Sequence, residues 1–152
     1  MNWKQLLAQR KVQLHTTSKQ ELDGLRALIE RDLTDAALAG LSADRRFATA
    51  YNAALQTTKM VIACAGYRVA SAPGHHRLHF EAARIALGSS GDRFLDYFET
   101  SRRKRNVIDY DYAFVATETE AEEILSEANK FNAFAEQWIS LENPSLAKIA
   151  RA

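Results

Sequence analysis

Ser101-Arg102-Arg103-Lys104-Arg105-Asn106-Val107-Ile108-Asp109-Tyr110-Asp111-Tyr112 is the stretch from which the fold can be read outward. Four consecutive cations run into an asparagine, two acids and two tyrosines, with no glycine or proline to interrupt a helix. At about 100° per residue, Phe94, Tyr97, Phe98, Ile108 and Tyr112 share one side, which predicts an amphipathic helix from about 92 to 112. Arg105 falls in the middle of that stripe and Asp109 follows it at i+4. A charged pair therefore points inward, while Arg103 and Tyr110 point away. Burying a guanidinium is costly unless a carboxylate and further hydrogen bonds satisfy it. The pair is thus either a structural bridge or the floor of a polar site.

The rest of the chain repeats the helical spacing. Ser18-Lys19-Gln20-Glu21 has the capping-box pattern, and Leu22, Leu25, Ile29, Leu33 and Ala36 follow, predicting a helix over 19–39 closed by Gly40. Ser42 or Asp44 can cap the next helix, whose stripe runs Phe47, Ala50, Tyr51, Ala54, Leu55, Thr58, Ile62 and Ala65 up to Gly66. Its alanines let neighbours approach closely. Pro73 and Gly74 break the chain in a loop from Ala70 to His76, after which Arg77 to Leu87 is helical again. Gly88 to Gly91 reads as a hinge with Asp92 as the following cap. Thr117 and Glu120 form a second capping-box pattern ahead of Ala121, Ile124, Leu125, Ala128, Phe131, Ala135 and Trp138, a helix to about 141 that Asn143-Pro144 ends.

Residues 1–15 carry Trp3, Leu6, Leu7 and Leu14 without a strong cap and read as a peripheral arm. The valine-rich alternation of a sheet is absent. The expected fold is all-α, an up-and-down bundle of four to five helices spanning 18–141, with a tail over 142–152, in a single domain.

Composition narrows the function without naming it. The 152 residues suffice for one core, and 47% hydrophobic with 26% charged residues fits a globular protein. A net charge of +1 gives no general attraction to polyanions, so any such attraction must come from the cluster at 102–105. Cys64, the single cysteine, sits among Ile62, Ala63 and Ala65 and reads as a small core residue. Lys4, Gln5 and Arg10 interrupt any apolar leader, and no run reaches the roughly 18 apolar residues of a membrane span. A cytoplasmic protein without a membrane-embedded segment is the expectation.

Several chemistries lack their residues. Gly88-Ser89-Ser90-Gly91 has neither the lysine nor the strand of a phosphate-binding loop, and no cysteine pairs or His-Glu-x-x-His helix supply a metal site. The expectation is therefore no metal and no cofactor. His75, His76 and His79 form a histidine cluster, in which His75 and His79 share a face if the helix begins early. In the basic run, successive positions sweep the helix circumference, so one cation must enter the core. There Asp109 can hold Arg105 extended, while Arg102 and Asn106 offer donors to phosphate oxygens without reading any base.

The Tyr51-Asn52 helix, the Gly74-His75-His76 loop and the helical Arg102-Arg103-Lys104-Arg105-Asn106-x-x-Asp109-Tyr110 together resemble a HEPN domain, the all-helical family named for higher eukaryotes and prokaryotes nucleotide-binding. The likeness spans about residues 18 to 141, and its specific part is the Arg-Asn segment. In that family an arginine, a polar residue after it and a histidine just over one helical turn further on form a metal-independent ribonuclease site. Subunits usually pair through their motif helices. Many members are toxins with an antitoxin, often a small nucleotidyltransferase; others bind RNA or nucleotide without cutting it.

Carried onto this chain, Arg105 matches the arginine and Asn106 the polar residue, but Tyr110, Asp111 and Tyr112 stand where the histidine belongs. Tyrosine is a poor base near neutrality, although its hydroxyl can position a phosphate or donate a proton. A histidine of the 75–79 segment can replace the missing imidazole in space. The resemblance implies a toxin-type homodimer acting on RNA, with Arg105, Asn106, Asp109 and Tyr110 as catalytic candidates. Arg102, Arg103, Tyr112, His75 and His76 are its candidates for RNA or phosphate binding. The alternative is a non-catalytic helical subunit that binds a nucleotide or pairs with a small nucleotidyltransferase.

Overall fold

The computed structural model describes residues 1–71, 75–110 and 112–148; for Tyr110 it describes the backbone alone. In chain order the elements are α1 (Trp3–Ala8), β1 (Val12–Leu14), α2 (Lys19–Ala36), α3 (Ala43–Cys64), β2 (Tyr67–Val69), α4 (His75–Leu87), α5 (Asp92–Tyr110) and α6 (Glu118–Glu142). Short 3-10 turns occupy Gly88–Gly91 and Pro144–Leu146. The architecture is the expected all-α bundle.

The alanine-rich α3 is the central helix, packed against α2, α4, α5 and α6. Ala50, Ala53, Ala54 and Ala63 are buried along it, and these small side chains let its neighbours close in. Phe94 and Phe98 of α5 meet Phe131 of α6 at ring-centre distances of 5.5 Å and 5.7 Å, with Phe80 of α4 completing the aromatic core. Cys64 is half-buried beside Ile29, Met60 and Ala63, and burial pushes its thiol up to about 11.

The caps are local and specific. Ser18 accepts from the Glu21 amide at 3.1 Å, but the Glu21 carboxylate turns to His15 and Thr17 instead of closing the box. Thr117 and Glu120 make the full reciprocal box. Ser42, not Asp44, caps α3. Helix α2 stops at Ala36, short of Gly40, because the buried Arg46 side chain donates to the Ala36 carbonyl at 2.8 Å. Asp92 is not a cap either. It is the first residue of α5, and its carboxylate binds Arg84.

The segment expected to be a peripheral arm is part of the core. Asn2 and Gln5 form a capping box that starts α1, Leu6 and Val12 are buried, and Trp3 stacks on Tyr67 at 4.0 Å. Strand β1 pairs antiparallel with β2, Val12 opposite Val69 and Leu14 opposite Tyr67. The pairing joins residues far apart in sequence, so local alternation gave no sign of it. Near the other end, Arg26 is 7% exposed and takes both Glu136 oxygens, at 2.8 and 2.9 Å, while donating to the Leu146 carbonyl at 2.7 Å. That clamp ties α2, α6 and the start of the expected tail together. Among the described residues, no helix is long and apolar enough to cross a membrane.

Candidate functional site

The buried stripe of α5 changes character along its length. Phe94, Leu95 and Phe98 are apolar and buried; Ser101 follows, and then Arg102 and Arg105, both half-buried. The C-terminal half of α5 thus presents polar groups to α3, where Tyr51 and Asn52 receive them. The Arg105 guanidinium lies 5.6 Å from the centre of the Tyr51 ring, a cation over an aromatic face. Its Nη1 is 2.8 Å from Asp109 Oδ2, and its Nη2 donates to Asn52 Oδ1 at 3.3 Å. The Arg105 side chain is 18% exposed and that of Asp109 33%, so the pair is neither sealed in the bundle nor free on its surface.

Three buried donor groups at this seam have no hydrogen-bond partner among the described residues: the Tyr51 hydroxyl and the Nε of Arg102 and of Arg105. Native proteins leave few buried polar groups unsatisfied, and those that remain call for an explanation. Burial drives the Tyr51 phenol well above its ordinary range, and the nearby Arg105 and Arg102 charges only partly offset this. The phenol stays protonated and offers an O–H.

The histidines come from α4, which begins at His75 and therefore includes all of His75, His76 and His79. The His76 ring lies 6.0 Å from the Tyr51 ring, on the aromatic side chain that Arg105 also approaches. Burial, and then the Arg105 charge, lower its pKa from 6.5 to about 4. It is neutral at neutral pH, with one ring nitrogen free to accept a proton. His79 is buried, and its Nδ1 lies 2.7 Å from the His75 carbonyl, which fixes Nδ1 as the donor. Burial lowers its pKa to about 4 as well. His75 packs edge-on against His76 at 4.4 Å and is itself exposed. His75 and His79 also border a cavity of about 370 Å³ that Lys59, Ile62, Tyr67 and Val69 help to line. Among the described residues, no group of three or more His, Cys, Asp or Glu side chains is placed to hold a metal ion.

The structure therefore brings together Arg105, Arg102, Asp109 and His76 of the residues picked from the sequence. Asn106 is half-buried beside Arg105, and Arg103 is exposed on the outer face. Helix α5 ends at Tyr110, whose side chain lies outside the described part, as does Asp111. Tyr112 is a correction. It was placed on the buried stripe of a helix reaching 112, yet it lies beyond the helix and is 68% exposed. The reason is Asp44, whose carboxylate accepts from the amides of Phe114, Val115 and Ala116 and turns the chain away.

Sequence reasoning did not count Tyr51 and Asn52 as site residues. The available signal was Asn52 directly after Tyr51, the one tyrosine of the α3 stripe. No family model, curated protein or solved structure matches the chain.

Proposed function

We propose that the seam between α3, α4 and α5 binds the phosphodiester of RNA and cleaves it without a metal, as a HEPN-like, toxin-type ribonuclease whose imidazole comes from α4. The observation that carries this reading is the set of three orphaned donors, Tyr51 Oη, Arg102 Nε and Arg105 Nε, beside the neutral imidazole of His76. The Arg105 guanidinium and the His76 ring lie 5.6 and 6.0 Å from the Tyr51 ring, which puts a cation and a base in one neighbourhood, the parts that transesterification needs.

In the proposed reaction, His76 takes the proton of the ribose 2′-hydroxyl as its oxygen bonds to phosphorus. The bond from phosphorus to the 5′-oxygen breaks, and that oxygen takes a proton from solvent, to which His76 releases the one it accepted. The products are a 2′,3′-cyclic phosphate and a 5′-hydroxyl. Arg105 and Arg102 stabilise the charge that builds on the non-bridging oxygens, Asp109 holds Arg105 in place, and Asn106 borders the phosphate. Arg103 and His75 line the path of the strand. Two copies pairing through α5 would set two such seams side by side, and an antitoxin would cover them.

The test is incubation of RNA with purified protein in excess EDTA. Wild type cuts, and Arg105→Ala loses at least about a hundredfold in rate, the usual cost of removing one transition-state donor. Cutting that survives this substitution rejects the assignment. Nucleotide or nucleotidyltransferase binding without any cutting would instead favour the non-catalytic subunit, the reading that the tyrosines in the histidine's place support.

A further inference from the structure

The cavity of about 370 Å³ bordered by His75 and His79 opens where α2, α3, β2 and the start of α4 converge, and Leu25, Ile62, Ala63 and Val69 form its apolar wall. Two polar groups on that wall have hydrogen-bonding capacity left over. His79 is 7% exposed, and its Nδ1 donates to the His75 carbonyl at 2.7 Å. Burial keeps the ring neutral at neutral pH, so Nε2 carries a lone pair, and none of the described residues donates to it. Lys59 is half-buried on the same wall, close enough for its charge to act on His79. It makes no hydrogen bond or ion pair among the described residues, where the neighbouring pairs join His15 to Glu21 and Arg26 to Asp23 and Glu136. Buried polar groups are ordinarily satisfied, and two unsatisfied ones on one cavity wall point to something that fills it.

The charges on the wall decide what that is. Glu21 is its one carboxylate, and it is occupied: the His15 ring lies 2.8 Å away, the Thr17 hydroxyl donates at 2.7 Å, and the Arg68 charge acts on it as well. Arg68 is exposed at the rim and donates to Gln13 at 3.1 Å. Lys59 is thus the cation left without a counter-ion. An unpaired ammonium beside apolar surface takes an anion, and a bare imidazole nitrogen takes an O–H or N–H donor. The volume sets the size, since it falls at the low end of the roughly 300–1,000 Å³ of small-molecule pockets and is too small for a folded segment or a nucleic-acid strand.

We propose that this cavity binds a small organic acid whose anionic group pairs with Lys59, whose hydroxyl or N–H donates to His79 Nε2, and whose apolar body lies against Leu25, Ile62 and Val69. The site is built from residues other than Arg105, Arg102 and Tyr51, and it does not rest on the RNA reading.

The probes are para-hydroxybenzoate, para-hydroxyphenylacetate and para-hydroxyphenylpropionate, which hold a hydroxyl and a carboxylate at three spacings. Each is compared with its methyl ester and with the same acid lacking the hydroxyl. Binding to the full chain at neutral pH is read by NMR titration of the backbone amides and histidine rings. At least one of the three acids should shift the His79 ring resonances saturably, and its ester and its dehydroxylated form should each bind about tenfold more weakly, the effect of losing one hydrogen bond. Lys59→Met, shown to be folded by circular dichroism, should bring the acid down to the affinity of its ester. The absence of a saturable shift with all three acids overturns the proposal. So does an ester or a dehydroxylated acid that binds as tightly as its parent, or acid binding unaltered in Lys59→Met. Cleavage of RNA is read separately, so each of these failures leaves the ribonuclease reading where it stands.

Discussion

Arg105 and Asp109 are joined at 2.8 Å across one turn of α5, with the guanidinium facing α3 and the carboxylate on the more open side. A partly exposed i,i+4 pair of this kind is worth only a few tenths of a kcal/mol to the fold. Its larger effect is on where the guanidinium sits. Asp109→Asn is expected to change the unfolding free energy by less than about 0.5 kcal/mol while lowering RNA cleavage about tenfold, since a small misplacement of a charge-stabilising group is costly in rate. Equal small losses in both measurements would make the pair a structural bridge.

Both His76 and His79 titrate at about 4 in the folded protein against 6.5 unperturbed. The unfolded chain therefore binds more protons between those values, so stability is fully present above pH 6.5 and falls as the pH drops toward 4. Denaturation followed across that window should show the fall, and His76→Gln should flatten part of it. An NMR titration adds a sharper test: a single-stranded 2′-O-methyl oligoribonucleotide, which cannot be cleaved through its 2′-oxygen, should raise the His76 pKa, because a phosphate beside the ring favours the imidazolium. No movement of this resonance would place the phosphate elsewhere.

Arg26 is one of the buried charges that hold the fold together. It is 7% exposed, paired with Glu136 through two hydrogen bonds and bound to the Leu146 carbonyl. Arg26→Ala strands a largely buried carboxylate and should cost about 3 kcal/mol in chemical denaturation. Lysine at this position cannot reproduce the forked geometry and should recover little of the loss.

Signals between residues a turn apart can be read from the sequence alone. The α5 stripe from Phe94 to Arg105, the Thr117-Glu120 box and the inward Arg105-Asp109 pair are local signals, set by helical spacing and by side chains a turn apart, and they were legible. The Val12–Val69 pairing and the Trp3–Tyr67 stack were not, because they join residues distant in sequence. Asn2 and Gln5 carried a readable cap that went unused. The meeting of His76 with Tyr51 depends on α4 starting at His75 and on how α3 and α4 pack, and spacing along the chain encodes neither. Tyr112 was misplaced because the helix was extended past the point where Asp44 captures the following amides.

Phe114 at φ +60° gives a prediction about stability that is independent of RNA. A left-handed conformation costs an L-residue roughly 1–2 kcal/mol, and glycine adopts it freely, at the expense of a more flexible unfolded chain. Phe114→Gly should leave the melting temperature unchanged or raise it, by up to about 1 kcal/mol in stability. Clear destabilisation would mean that the ring makes a contact the strain argument overlooks.

The account is tested most directly by the end groups of RNA incubated with the protein in excess EDTA. Wild type should leave 2′,3′-cyclic phosphate and 5′-hydroxyl ends, while Arg105→Ala and His76→Gln, each shown to be folded, should leave the RNA intact over the same time. Cleavage by either variant at the wild-type rate, or RNA left whole by the wild-type protein, would contradict it.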